Sequence, residues 1–261
     1  MKDNGIVKEH AGAHNVVYRE TTNHEINIPK AIVHIVGTSH IAEASKIKIR
    51  QTANALEPHI IAIELDSNRL QALKDKVAGK KDDRLPLSLI KKIGVTGYTF
   101  AIIARTLQRK MGDMVRVEPG IDMLEGVKIA EEKKLQLALI DQDIMITLQK
   151  LSAEFTFKEK MRVFWDVISA PFARKKFKKY NIDLAKIPED KMIDELLKLM
   201  QARYPNLHKV LVLDRNIVMA RNIDALVRKN PGKKILVIIG AGHGDDLKAR
   251  LRHIEHLATI E

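Results

Sequence analysis

The chain has 261 residues, of which 45% are hydrophobic and 30% charged. That is the balance of an ordinary globular protein, long enough for one large domain or two small ones. It contains no cysteine, which excludes disulfides and thiolate metal sites, fits a cytosolic setting, and leaves any metal to His, Asp or Glu. The formal charge of +12 suits acidic partners, or equally a basic solubilising surface.

The first fifteen residues, MKDNGIVKEHAGAHN, are polar and lack the apolar core of a signal peptide. Asn15–Tyr18 is predicted to begin a short strand. Ala31–Val36 is a continuous apolar run, the pattern of a strand buried on both faces. A helix is predicted over Ile41–Leu56, stopped by Glu57-Pro58. Ile60–Ile63 is a second buried strand, and Asn68–Val77 a helix ended by Gly79. Residues 86–112 are predicted helical, broken near Gly94 and Gly97. Their longest uncharged stretch, Ile93–Ala104, falls short of the roughly 20 residues needed to cross a bilayer, so no membrane span is expected. A helix over Ile121–Lys133 precedes a third strand, Leu135–Ile140. Helices follow over Ile144–Leu151, Lys158–Ser169, Glu189–Arg203 and Leu207–Arg228, the last ended by Asn230-Pro231-Gly232. Lys234–Ile239 is predicted as the last strand and Asp246–Ile254 as the last helix.

Strands alternating with helices predict an α/β fold with a mostly parallel central sheet and flanking helices. We expect a single domain over residues 1–261, with a helical insertion or lid over 155–203 packed beside or over the sheet.

Two strands end alike. IVHIV runs into Gly37-Thr38-Ser39-His40, and ILVII into Gly240-Ala241-Gly242-His243. One G-x-x-H is weak, but two at matching strand–helix junctions are far more specific and suggest an internal pseudo-repeat. The other strands run into Glu64 and Asp141. Functional groups gather at the carboxyl ends of parallel strands, so His40, Glu64, Asp141 and His243 are expected along one edge. Gly37, Gly240 and Gly242 leave room for a ligand or metal near the backbone. They form neither a Walker loop nor a dinucleotide fingerprint. Two histidines and a carboxylate are a standard set for a divalent metal with open positions, and the same trio also suits metal-free acid–base chemistry.

Blander roles stay open. Either histidine alone would fit a cap, and His34 fits a core or edge position. Glu64 needs a partner at the end of a buried strand, whether metal, histidine or arginine. Asp141 is equally a site member or a cap for the next helix. Arg69 and Arg215 suit carboxylate or phosphate recognition, or a structural ion pair.

These motifs resemble the TraB family, which includes the PrgY pheromone-shutdown proteins and is related to the Tiki proteases. The resemblance rests on Val36-Gly-Thr-Ser-His40, Ile63-Glu-Leu-Asp66 with Arg69, Glu118-Pro-Gly120, Leu139-Ile-Asp141-Gln-Asp143-Ile144 with Thr147-Leu148, Leu213-Asp-Arg215 with Met219-Ala220, and Ile239-Gly-Ala-Gly-His243-Gly244. It covers about residues 31–253. It implies a metal-dependent hydrolase, a peptidase acting on a peptide signal, with His40, Glu64 and His243 as ligands and manganese or cobalt as the ion. Zinc is a third candidate. Glu64, Arg69, Asp141 and Arg215 become the expected catalytic residues, with Asp141 behind the ligands and the arginines stabilising negative charge. The chain departs from the family at Gln142, where the family often has Arg, and at Asp214, where it often has Glu. Many microbial members carry C-terminal membrane helices. None precedes Glu261, which fits a soluble member or a soluble portion of a longer protein. H-E-x-x-H is absent, so protease chemistry rests on the resemblance alone.

Residues 155–180 hold seven aromatics (Phe155, Phe157, Phe164, Trp165, Phe172, Phe177 and Tyr180) and the basic runs Arg174-Lys175-Lys176 and Lys178-Lys179. That mixture suits an anionic membrane surface, a lid over a peptide, or a hairpin that packs inward or forms a homodimer contact. No nucleic-acid-binding motif is present, which argues against a nucleic-acid partner. The competing functions are a non-catalytic module that sequesters a peptide or small molecule, and a membrane-peripheral regulator.

Overall fold

The computed structural model describes residues 30–38, 42–80, 85–115, 121–163, 165–166, 189–253 and 257–260. The strand predicted at Asn15–Tyr18, His40, the Glu118-Pro-Gly120 motif and the basic runs at 174–179 lie outside them.

Among the described residues, five strands form one sheet: β1 (Ala31–Thr38), β2 (Ile60–Ile63), β3 (Gln136–Leu139), β4 (Lys234–Gly240) and β5 (Leu257–Ile260), in the order β3-β2-β4-β1-β5. Every pairing is parallel. The α/β expectation with a mostly parallel sheet therefore holds. The expectation that Lys234–Ile239 is the last strand does not, because β5 adds to the free edge of β1. At four residues, β5 is a short strand at the sheet's edge.

The central strands read as unbroken apolar runs because helices cover both faces. Ile235, Val237 and Ile239 of β4 meet Met219, Ile223 and Val227 of α8 (Asp214–Lys229) and Leu247 and Leu251 of α9 (Gly244–Leu251). Leu236 and Ile238 point the other way. They meet Ile49 and Ala53 of α1 (Ala42–Leu56) and Met123 and Val127 of α4 (Ile121–Glu132). Each Val, Leu, Ile or Met among these contributes roughly 1.5–3 kcal/mol on burial. A Cβ at Gly126 would meet Ile238 Cδ1 at 2.6 Å, so the missing side chain lets α4 lie close to the sheet.

A smaller helical cluster sits apart. It joins α3 (Ile90–Val115) to α5 (Ile144–Glu154) through Ile93, Leu148, Leu151 and Val210. Of the two glycines expected to break α3, only Gly94 leaves helical geometry, at φ 72 and ψ 167. Ser152 on α5 fills the gap: its hydroxyl donates to Ile93 O and accepts from Gly97 N.

The predicted helix at Leu207–Arg228 is helical throughout but not uniform. A short α7 (Pro205–His208) leads into a π turn at Lys209–Leu213 and then α8. An extra residue in a turn rotates the succeeding helix by about 100°, and such turns are common at functional sites. The helices α2 (Ser67–Val77) and α6 (Glu189–Arg203) are also among the described elements. Within the predicted insertion, residues 157–163 are helical, and α6 packs against the turn Ala241–His243 beyond β4. No helix among the described residues is long and apolar enough to cross a membrane.

Candidate functional site

Because the strands are parallel, their carboxyl ends share one edge. Ile63 pairs with Ile238 on one side and Leu139 on the other. Glu64 and Asp141 follow directly, each still tied to the sheet, by Glu64 N to Ile238 O (3.0 Å) and Asp141 N to Leu65 O (3.4 Å). His243 lies in the 3-10 turn after β4. Arg69 arrives on the first turn of α2 and Arg215 on the first turn of α8.

Arg215 is the hub. A guanidinium has five N–H donors in a planar fork, and each finds an acceptor. Nε donates to Asp141 Oδ1 (3.1 Å), and Nη2 donates to Asp141 Oδ2 and Glu64 Oε1. Nη1 donates to Leu211 O (3.2 Å) and lies 3.2 Å from His243 Nε2. Its side chain is 14% exposed, and that of Asp141 is fully buried. Glu64 and Asp141 raise the Arg215 pKa above its ordinary value despite burial, which opposes the charge.

Asp141 is also gripped by Arg69, whose Nη2 donates to Oδ2 while its Nε donates to Asp66 Oδ2 at 2.6 Å. Asp66 in turn caps α2, accepting from Asn68 N and Arg69 N. Burial disfavours the Asp141 carboxylate. The hydrogen bonds and charges of Arg215 and Arg69 outweigh that and hold its carboxyl below the usual range. Asp141 is not the cap of the following helix; Asp143 is, accepting from Met145 N.

Glu64 finds two hydrogen-bond partners and one close neighbour. Besides Arg215, its Oε2 accepts from Gly240 N at 2.6 Å, and its Oε1 lies 3.3 Å from His243 Nε2. The backbone N–H of one G-x-x-H glycine is thus committed to the glutamate. Gly242 lies in the turn with His243, and Gly37 pairs with Ile239 across the sheet.

His243 is buried, and its orientation comes from a residue outside the predicted set. Asn216 Oδ1 lies 2.6 Å from His243 Nδ1, while Asn216 Nδ2 donates to Asp246 Oδ2 at 2.7 Å. A carboxylate only accepts, so the amide must turn its nitrogen to Asp246 and its oxygen to the imidazole. The proton of His243 therefore sits on Nδ1, and Nε2 offers a lone pair. Burial lowers the His243 pKa, which keeps the ring neutral. Arg250 donates to Asp246 Oδ2 at 2.7 Å and completes the relay. The sequence carried a signal for Asn216: it shares the buried stripe of α8 with Met219, Ile223 and Val227, where a polar side chain demands a partner.

The structure thus brings together Glu64, Asp141, Arg69, Arg215 and His243. Among the described residues no group of three or more His, Asp or Glu side chains is arranged to hold a metal; His40 lies outside them. Thr38, the last described residue of β1, pairs with Gly240. Of the insertion's aromatics, Phe155 is buried edge-on against Phe100 at 5.2 Å, whereas Phe157 is 77% exposed and Trp165 60%.

A family model described as TraB/PrgY/gumN matches residues 24–246. An uncharacterised protein of Methanocaldococcus jannaschii is 28% identical over 230 residues, covering 88% of this chain and 55% of its own length. The TraB domain-containing protein of Homo sapiens is 21% identical over 233 residues, 81% of this chain and 60% of that protein, and the Bos taurus protein of the same name is likewise 21% identical. The chain spans little more than half the length of these relatives. With motifs in family order and a family match across most of its length, the chain belongs to the TraB/PrgY/gumN family.

Proposed function

We propose that the chain is a metal-dependent hydrolase acting on peptides, with its site at the carboxyl ends of β2, β3 and β4. The observation that carries this is the approach of His243 Nε2 to Glu64 Oε1 at 3.3 Å. With His243 as the Nδ1–H tautomer, both atoms are acceptors, and two acceptors this close need a positive group between them, which Arg215 supplies in this structure and a bound metal would supply in its place. Ligands of a tetrahedral ion at about 2.1 Å lie about 3.4 Å apart, so the separation fits a shared metal. The relay from Asn216 to Asp246 is the support that metal-binding histidines use to fix their tautomer.

His243 Nε2 and Glu64 Oε1 would hold manganese, cobalt or zinc, with His40 as the third ligand that the sequence motif supplies. Such an ion lowers the pKa of a water towards neutrality and polarises a carbonyl. The chain's own residues do the rest. Gly240 N–H fixes one oxygen of Glu64 and leaves the other facing His243. Asp141 anchors Arg69 and Arg215 beside that point, where guanidinium N–H groups stabilise the negative charge that develops on a carbonyl oxygen. Helix α6, packed against the His243 turn, closes one side of the site.

The test is turnover of a fluorogenic peptide mixture by the chelator-treated chain, with and without added Mn²⁺, Co²⁺ or Zn²⁺. Metal-dependent cleavage lost in Glu64→Gln and His243→Ala supports the reading. Labelled peptides bound by wild type and Glu64→Gln alike, with no cleavage under any metal, replace it with sequestration.

A further inference from the structure

The groups around the site are formally three carboxylates, Glu64, Asp66 and Asp141, facing two guanidinium groups, Arg69 and Arg215. One of these, Arg215, already touches both atoms that would ligate a metal. Nη2 donates to Glu64 Oε1, and Nη1 lies 3.2 Å from His243 Nε2. The other three N–H bonds run elsewhere, two to Asp141 and one to Leu211 O.

We infer that Arg215 is the resident cation of the site, a guanidinium that a divalent metal must displace from Glu64 and His243. This rests on the metal-centre reading above. Metal and guanidinium compete for the same lone pairs. A carboxylate oxygen and an imidazole nitrogen at the end of buried strands repel each other unless a positive group sits between them. Without metal, Arg215 supplies that charge and keeps the strand tips together. When metal arrives, two of its five bonds break. The two bonds to Asp141 and the one to Leu211 remain, so the side chain is held at the rim of the site. Arg69, bonded to the same Asp141 oxygen as Arg215 Nη2, keeps that carboxylate compensated while the exchange occurs. Metal affinity is therefore set against an internal competitor, and the displaced guanidinium stays beside the ion, where an anionic group of a substrate would meet it.

The measurement is calorimetric titration of Mn²⁺ into the chelator-treated chain, comparing wild type with Arg215→Met, Arg215→Lys and His243→Ala. Loss of the competing charge is expected to tighten Mn²⁺ binding by about tenfold or more in Arg215→Met. Lysine keeps the charge but has no fork to span both acceptors, so Arg215→Lys is expected to fall between the two. Saturating Mn²⁺ should raise the Tm of Arg215→Met by more than it raises that of wild type. Circular dichroism checks folding, and if Arg215→Met does not fold, Arg215→Lys decides. Variants that fold and bind Mn²⁺ no tighter than a wild type whose binding depends on His243 would overturn the displacement idea and leave the metal centre standing. No Mn²⁺ binding by any folded variant, with His243→Ala behaving as wild type, would remove the metal centre and this inference with it.

Discussion

Asn216 Oδ1 and His243 Nδ1 lie 2.6 Å apart inside the protein, joining the first turn of α8 to the turn beyond β4. The bond reaches further because Asn216 Nδ2 is bonded to Asp246. Asn216→Ala strips an acceptor from a buried imidazole and a donor from a carboxylate. A lost partner at a buried polar group costs roughly 1–3 kcal/mol, which should read as a lower urea midpoint with unchanged m. The freed ring also loses its tautomer preference. On the metal-centre reading, Mn²⁺ affinity should fall by about 10- to 100-fold. Asp246→Asn should show a smaller version of both effects, because Asn216 keeps its bond to His243.

The pH dependence of stability has a sign fixed by Asp141. Its folded-state pKa lies below the ordinary carboxylate value because Arg215 and Arg69 outweigh burial. The folded protein therefore binds that proton less readily than the unfolded chain. The stabilisation is fully present above the unfolded value of about 3.9 and is lost as pH falls from there through the folded pKa. Asp141→Asn leaves Arg215 buried with Glu64 as its remaining counter-charge, which costs about 3 kcal/mol at neutral pH. Subtracting its urea-derived stability curve from that of wild type should give a plateau above about pH 4 and a decline below it. A difference that stays flat down to pH 2 would place the titration elsewhere.

Much of this site was legible along the chain, because a parallel sheet gathers its strand ends by construction. Glu64 and Asp141 follow buried apolar runs directly, and His243 follows the apolar run of β4, so each was placed by its neighbours. Arg69 and Arg215 were legible only as candidates. Nothing in spacing says that two arginines 146 positions apart close on one aspartate. Asn216 was missed because a lone asparagine on a helix looks exposed unless the stripe through Met219, Ile223 and Val227 is continued one turn back. The π turn before it left no mark, since KVLVL is apolar in any helical register. Strand β5 was missed for a related reason: four residues of an edge strand carry too little periodicity to stand out.

Two glycines share a positive φ but not the same surroundings, and comparing them weighs strain alone against strain with crowding. Gly79 and Gly94 both have φ 72. A Cβ at Gly79 would meet nothing within 4 Å, whereas one at Gly94 would lie 2.7 Å from Ser152 Oγ. Gly79→Ala should cost only the left-handed strain, about 1–2 kcal/mol. Gly94→Ala should cost more and loosen the contact of α3 with α5. Ser152→Ala removes the nearer obstruction, the oxygen, but keeps the Cβ that would lie 2.9 Å from the added methyl, and it leaves Ile93 O and Gly97 N without their partner. In the double mutant the two losses should therefore add to less than their sum, read from thermal melts.

Asp141 accepts from two arginines, and their coupling to it should differ in a predictable order. Arg215 gives Asp141 two hydrogen bonds and has a side chain 14% exposed, whereas Arg69 gives it one, is 28% exposed and shares its charge with Asp66. Screening by water weakens the second pair more than the first. In double-mutant cycles built from Asp141→Asn with Arg215→Met and with Arg69→Met, the coupling energy should be larger for Arg215, about 2 kcal/mol or more against about 1 kcal/mol. Added salt should reduce the Arg69 coupling and leave the Arg215 coupling nearly unchanged. Equal couplings, or a larger one at Arg69, would mean that Asp141 serves chiefly to dock α2 onto the sheet, and that Arg215 is held by Glu64 instead.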